Sequence, residues 1–121
     1  MKIETPYPEP TDAVTFIEKQ YPETARAFKA IQHDQYTLFC RKQMDYGPSN
    51  IAMGTNLETE EDVKLSLTAL VVRMNDKIQR LINLILRQNV NAQNEPAMDS
   101  IKDLSIYGII AQVVEDGSWG K

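Results

Sequence analysis

Two aspartates, Asp99 and Asp103, stand four residues apart near the start of a segment, Ala97 to Val114, that is otherwise apolar nearly all the way round. An apolar perimeter predicts a buried helix. A carboxylate drawn into such a helix must meet cations, a metal or strong donors, because an unpaired buried charge is too costly to keep. Spacing of four places both acids on one helical face, with Glu95 and Tyr107 extending the same ladder. Carboxylates so placed could orient arginines, accept from nucleotide hydroxyls, or hold Mg²⁺, which keeps most of its waters and needs only one or two protein carboxylates.

The cations to meet them lie upstream. On a helix running from about Glu60 to Gln88, Arg73, Lys77, Arg80 and Arg87 form a stripe beside the apolar one, and Asp76 lies next to them. If the last helix packs here, Asp99 and Asp103 approach that stripe. Two readings of the mixed-charge groove follow. The charges fasten two helices together, or arginine and lysine grip a phosphate while the carboxylates orient it or hold its magnesium.

The elements that position these groups follow from periodicity and punctuation. Pro6, Pro8 and Pro10 make residues 1–10 an extended arm. Thr11 or Asp12 caps a short helix ending before Pro22, and Glu23 to about Met44 forms a second, with Phe28, Ile31, Leu38 and Phe39 on its core face and Lys42 one turn beyond. Gly47-Pro48 breaks the helix and opens an ordered loop to Glu58. Thr59-Glu60-Glu61-Asp62 reads as a capping box. Behind it Val63, Leu67, Leu70, Val71, Met74, Ile78, Leu81, Ile82 and Ile85 form the core stripe of a long helix. Pro96 suits the first turn of the last helix. Residues 117–121 read as a flexible tail in which Trp119 folds back or meets a second subunit. No alternating run is long enough for a strand. The expected fold is all-α: a compact helical bundle of about four helices with one long central helix and no sheet, in a single domain over 11–116.

Composition bounds the rest. With 25% charged and 42% hydrophobic residues, the chain has the balance of a soluble globular protein. A net charge of -4 argues against a general duplex-DNA binder. The single cysteine, Cys40, excludes an internal disulfide and reads as a core or near-core residue. The one histidine, His33, reads as a surface residue, and a zinc site needs more His or Cys than this. No phosphate loop, catalytic triad or dinucleotide fingerprint occurs. No stretch nears the roughly 20 apolar residues that span a bilayer, and no signal pattern is seen, so a cytoplasmic protein without membrane contact is expected.

Three blocks together carry a family resemblance. Lys42-Gln43-Met44-Asp45-Tyr46-Gly47-Pro48-Ser49-Asn50 resembles a Lys-x-x-Asp-Tyr-Gly signature. Arg73 to Leu81 resembles an Arg-x-x-Asp-Lys-x-x-Arg-Leu block, and Glu95 to Tyr107 a Glu-(x)3-Asp-(x)3-Asp-Leu-x-x-Tyr block. Over residues 37–114 the chain looks like the nucleotide modification associated domain 1 family, small helical proteins of phages and prophages. The resemblance implies nucleotide chemistry, in host cytoplasm if phage-encoded, and marks Lys42, Asp45, Tyr46, Arg73, Asp76, Lys77, Arg80, Glu95, Asp99, Asp103 and Tyr107. A looser similarity links the chain to the all-α nucleoside triphosphate pyrophosphohydrolases. Those enzymes carry Glu-x-x-Glu and Glu-x-x-Asp on successive helices. Here Arg73-Met74-Asn75-Asp76 and Ser100 occupy the corresponding places, which argues against a multi-magnesium hydrolase.

The leading expectation is therefore a nucleotide-binding protein that holds or sequesters a small phosphorylated nucleotide, including a cyclic defence signal. Lys42, Arg73, Lys77 and Arg80 would hold phosphate, Tyr46 and Asn50 base or sugar. Asp99 and Asp103 would orient the arginines or the hydroxyls. The alternatives are magnesium-dependent cleavage of a nucleoside triphosphate, with Asp99 and Asp103 as metal ligands, and a non-catalytic structural or interaction bundle. A bundle this small completes its core by self-association, so a homo-oligomer is also expected.

Overall fold

A computed structural model describes residues 12–87 and 92–121. The arm expected over 1–10 lies outside these, as does the proposed cap Thr11. The chain divides into two compact units at the junction of Asp45 and Tyr46. The expectation of one domain over 11–116 does not contain that division.

In the first unit, α1 (Asp12–Gln20) and α2 (Pro22–Tyr46) are separated only at Tyr21. Backbone bonds from Tyr21 N to Ile17 O (2.8 Å) and from Ala25 N to Tyr21 O (3.1 Å) carry the ladder across that bend. Pro22 takes the first helical position, where its missing N–H costs nothing. Lys29 pairs with Glu18 between the two helices. The core face expected on α2 is not one: the helix buries no residue, and Phe28 and Ile31 are exposed. Cys40, expected near the core, is exposed as well, and its hydrogen bond with Tyr36 pushes that phenol above its usual range.

The second unit holds α3 (Ser49–Ala52), α4 (Glu60–Leu81) and α5 (Ala97–Asp116), with a π-helical segment Ile82–Arg87 continuing α4. No strand occurs among the described residues. The fold class is thus all-α with one long central helix, as expected, and the loop after Gly47 supplies a fifth, very short helix. Thr59 caps α4 as the sequence signals, its hydroxyl accepting from Asp62 N at 3.1 Å.

The core consists of Ile51 and Ala52 of α3, Leu70 of α4, Ile106, Ile110 and Val114 of α5, and Trp119. Two expectations need correction here. Helix α5 is covered on one side only, since Met98, Ile101 and Ile109 are exposed. On α4 the expected core stripe is half open. Leu70 is 1% exposed, but Val71 and Ile78 are 59% and 44% exposed. The side of α4 that packs on α5 is rotated by one residue. Ser66, Leu70, Arg73, Lys77 and Arg80, at intervals of four, three, four and three, are all buried or half-buried on that side, while Leu67, Met74 and Leu81 of the expected stripe are half-buried beside them. Their counterparts on α5 are Ser100, Asp103, Tyr107, Ile110 and Val114, with spacing of the same kind. The two rows run antiparallel. Arg80 meets Ser100 and Lys77 meets Asp103. By that register Arg73 falls level with Tyr107, and Leu70 with Ile110.

A fully apolar row stood one residue away, so this choice has a physical basis. Ser66 and Ser100 are almost wholly buried, and such small side chains let two helices approach closely. Burying the cations between them is tolerable only because every one finds an acceptor.

Residues 117–121 are anchored. Gly117 adopts φ 85°, which a glycine takes without steric cost, and closes α5 with bonds from its N–H to Val114 O (3.1 Å) and from Ser118 N to Val113 O (3.2 Å). The chain then folds back, leaving Trp119 only 7% exposed with Nε1 donating to Pro48 O at 3.0 Å. Of the two fates the sequence left to Trp119, folding back is the one observed.

Candidate functional site

The seam between α3, α4 and α5 gathers most of the chemistry. Lys77 Nζ lies 3.0 Å from Asp103 Oδ2, with side chains 26% and 16% exposed. The hydrogen bond to Asp103 holds the Lys77 ammonium above its ordinary 10.5. The fields of Asp103, Tyr107 and Glu95 add to it, and burial opposes it.

Arg80 is engaged at both ends of its fork. Nη1 donates to Ser100 Oγ (2.8 Å) and Pro96 O (3.3 Å), and Nη2 donates to Glu95 O. A guanidinium suits this because its fixed donors reach several acceptors at once. Pro96 supplies no side-chain cap to α5, and Arg80 fixes the turn that enters the helix by donating to its carbonyls. Its contacts are those of a fold-determining residue.

Arg73 reaches the other way, Nη2 donating to Asn50 O at 3.0 Å. This bond belongs to a set that holds α3. Four residues are too few to satisfy their own carbonyls, so outside donors do it. Buried Ser66 Oγ donates to Ile51 O at 2.6 Å, and Thr55 Oγ1 to Ala52 O at 2.8 Å. Met53 closes the helix in the left-handed region at φ 56°. The result is a stiff turn that fixes Asn50 beside Arg73. The Oδ1 atom of Asn50 is shut off from solvent and has no hydrogen-bond partner among the described residues.

Other expected site residues fall elsewhere. Asp99 is half-buried one turn before Asp103, and it makes no ion pair among the described residues. Asp76 and Arg87 are exposed, as is Tyr46, at the junction of the two units. Lys42 and Asp45 belong to the first unit and are exposed on α2. No group of three or more His, Cys, Asp or Glu side chains gathers among the described residues.

Sequence reasoning passed over Ser66, and it named Ser100 and Trp119 without giving either a place in the helix contact. For the serines the signal was present: both fall at the seam spacing. No local pattern announces Trp119, whose partner is 71 residues away.

No family model, curated protein or solved structure matches this chain. None of its helices is long and apolar enough to cross a membrane, among the described residues.

Proposed function

We propose that the protein binds a small phosphorylated nucleotide at the α3–α4–α5 seam, without turnover, as a capture or sequestering protein of the phage type that its three sequence blocks resemble. The single observation that carries this reading is the Asn50 amide. A buried acceptor left without a donor costs about 1–3 kcal/mol. This oxygen is closed to solvent in the unliganded fold, so it would gain its donor only on binding, when a shift of α3 opens it to the exocyclic amine of a base or a sugar hydroxyl. Arg73, beside it, places one N–H on Asn50 O and has four more donors for phosphate oxygens. Tyr107 falls level with Arg73 across the seam, and Lys77 lies one turn further along α4. Asp99, half-buried and without an ion pair among the described residues, would accept from ligand hydroxyls.

Titration calorimetry of the whole chain against AMP, ATP and 3′,5′-cyclic AMP, with guanine and pyrimidine counterparts, tests this. At least one should give saturable heat and raise apparent stability by about 2.7 kcal/mol at 100 times its Kd. Asn50→Ala removes the orphan, so its unliganded melting point should hold or rise while affinity falls about tenfold or more. Silence from every nucleotide, or unchanged affinity in Asn50→Ala, would sink the reading.

We further propose that two copies associate through the open row of α4. Leu67, Val71, Met74, Ile78 and Leu81 repeat at intervals of four, three, four and three, with β-branched residues alternating with Leu and Met. That alternation is self-complementary in paired helices. Sedimentation should show a dimer that Ile78→Lys dissociates while the α-helical spectrum is kept; a wild-type monomer at all concentrations would refute it.

A further inference from the structure

We infer that Trp119 is a positioning residue of the ligand site: by gripping Pro48 O, its indole sets α3 and therefore the Asn50 amide. This rests on the nucleotide-binding reading for its functional consequence, and on geometry alone for its structural one. Helix α3 cannot hold its own pitch. Its N-cap Pro48 offers no side-chain bond, and only Ala52 N (3.1 Å) reaches Pro48 O from within the turn. The other outside donors, Arg73 and Ser66, come from α4 and act on Asn50 O and Ile51 O. Among the described residues, Trp119 is the donor from outside the turn that secures the entry to α3, two residues before Asn50.

The anchor is built to hold that place. Gly117 reverses the chain after α5. Gly120, at φ 74°, lets the backbone pass so close that a methyl group added there would lie 3.3 Å from Pro48 Cβ. The indole is buried between these turns at 7% exposure, and its only polar atom is satisfied by Pro48 O. Pro48 and residues 117–121 thus meet, although 71 residues separate the bonded pair. Movement of this latch moves Asn50 against Arg73.

The experiment uses Trp119→Phe in the full chain, which keeps an aromatic ring in place and removes only the N–H donor. Native-state hydrogen exchange should show the amides of Ala52 and Gly54 exchanging about tenfold faster, the upper end of one hydrogen bond's net worth. The amides of α5 and the global melting point should stay near wild type. Calorimetry with the strongest-binding nucleotide of the panel should show affinity down by a similar factor. Trp119→Ala, which also opens a cavity, should lower the melting point as well. In the wild type, emission from this sole tryptophan should change along the same isotherm as the heat. Unchanged exchange at Ala52 and Gly54 overturns the inference whatever the ligand. Faster exchange with equal affinity in both proteins overturns the functional half while nucleotide binding stands. Faster exchange with no heat from any nucleotide removes the binding reading and leaves Trp119 as the residue that sets α3.

Discussion

Replacing Arg80 with alanine should cost about 3 kcal/mol of folding stability, near the top of what a polar side chain contributes. The guanidinium bonds Ser100 Oγ, Pro96 O and Glu95 O at once. Their losses differ in kind. The two carbonyls lie in an exposed turn and can recover water. Ser100 is 1% exposed, so its hydroxyl would be stranded at the helix contact. Without the fork, the entry of α5 loses these three bonds to α4, and the register that brings Lys77 to Asp103 loosens with it. Urea unfolding followed by circular dichroism should show the midpoint falling with little change in slope. Arg80→Lys should recover only part of the loss, because one ammonium cannot span three acceptors in the arginine's planes. A variant that melts like wild type yet no longer binds nucleotide would reverse the assignment and make Arg80 a ligand residue.

Arg80 also marks the boundary of what the sequence could reveal. Its stripe with Arg73 and Lys77 was visible, as was the possibility that Asp103 would face it. So were the Thr59 cap, the break at Gly47-Pro48 and the all-α class, because capping, proline sterics and helical periodicity are local rules. Which row of α4 would pack was not legible. Periodicity weighs apolar content and therefore favours Leu67, Val71, Met74 and Ile78. Packing also weighs how closely two backbones can approach and whether buried charges find partners. Those quantities depend on Ser66, Ser100 and Asp103 meeting across the seam. The same limit hid the burial of Trp119 and the orphaned Asn50 oxygen, since both are properties of contacts between distant segments. Helix α5, apolar nearly all the way round between its charged ends, misled in a related way: hydrophobicity on most sides gives little direction, and only half of that helix is covered here.

Leu70 and Val71 turn that distinction into a measurement, because they are sequence neighbours of similar chemistry on adjoining faces of α4. At 1% exposure, Leu70 faces the α3–α5 core, and Leu70→Ala should destabilise by about 3 kcal/mol, within the 2–5 kcal/mol that such truncations span. The cavity would open beside Ser66 and Ile110, on helices held rigidly by the seam, so little relaxation is available to reduce the loss. Val71 is 59% exposed, and Val71→Ala should change folding stability by less than about 0.5 kcal/mol in the monomer. Thermal unfolding at protein concentrations below dimer dissociation separates the two. If the proposed self-association holds, the Val71→Ala penalty should appear only as concentration rises, through weaker mass-action stabilisation. The opposite ranking would mean that α4 packs through its most hydrophobic row after all. Lys77 and Asp103 would then not meet, and a binding seam built on their register could not form.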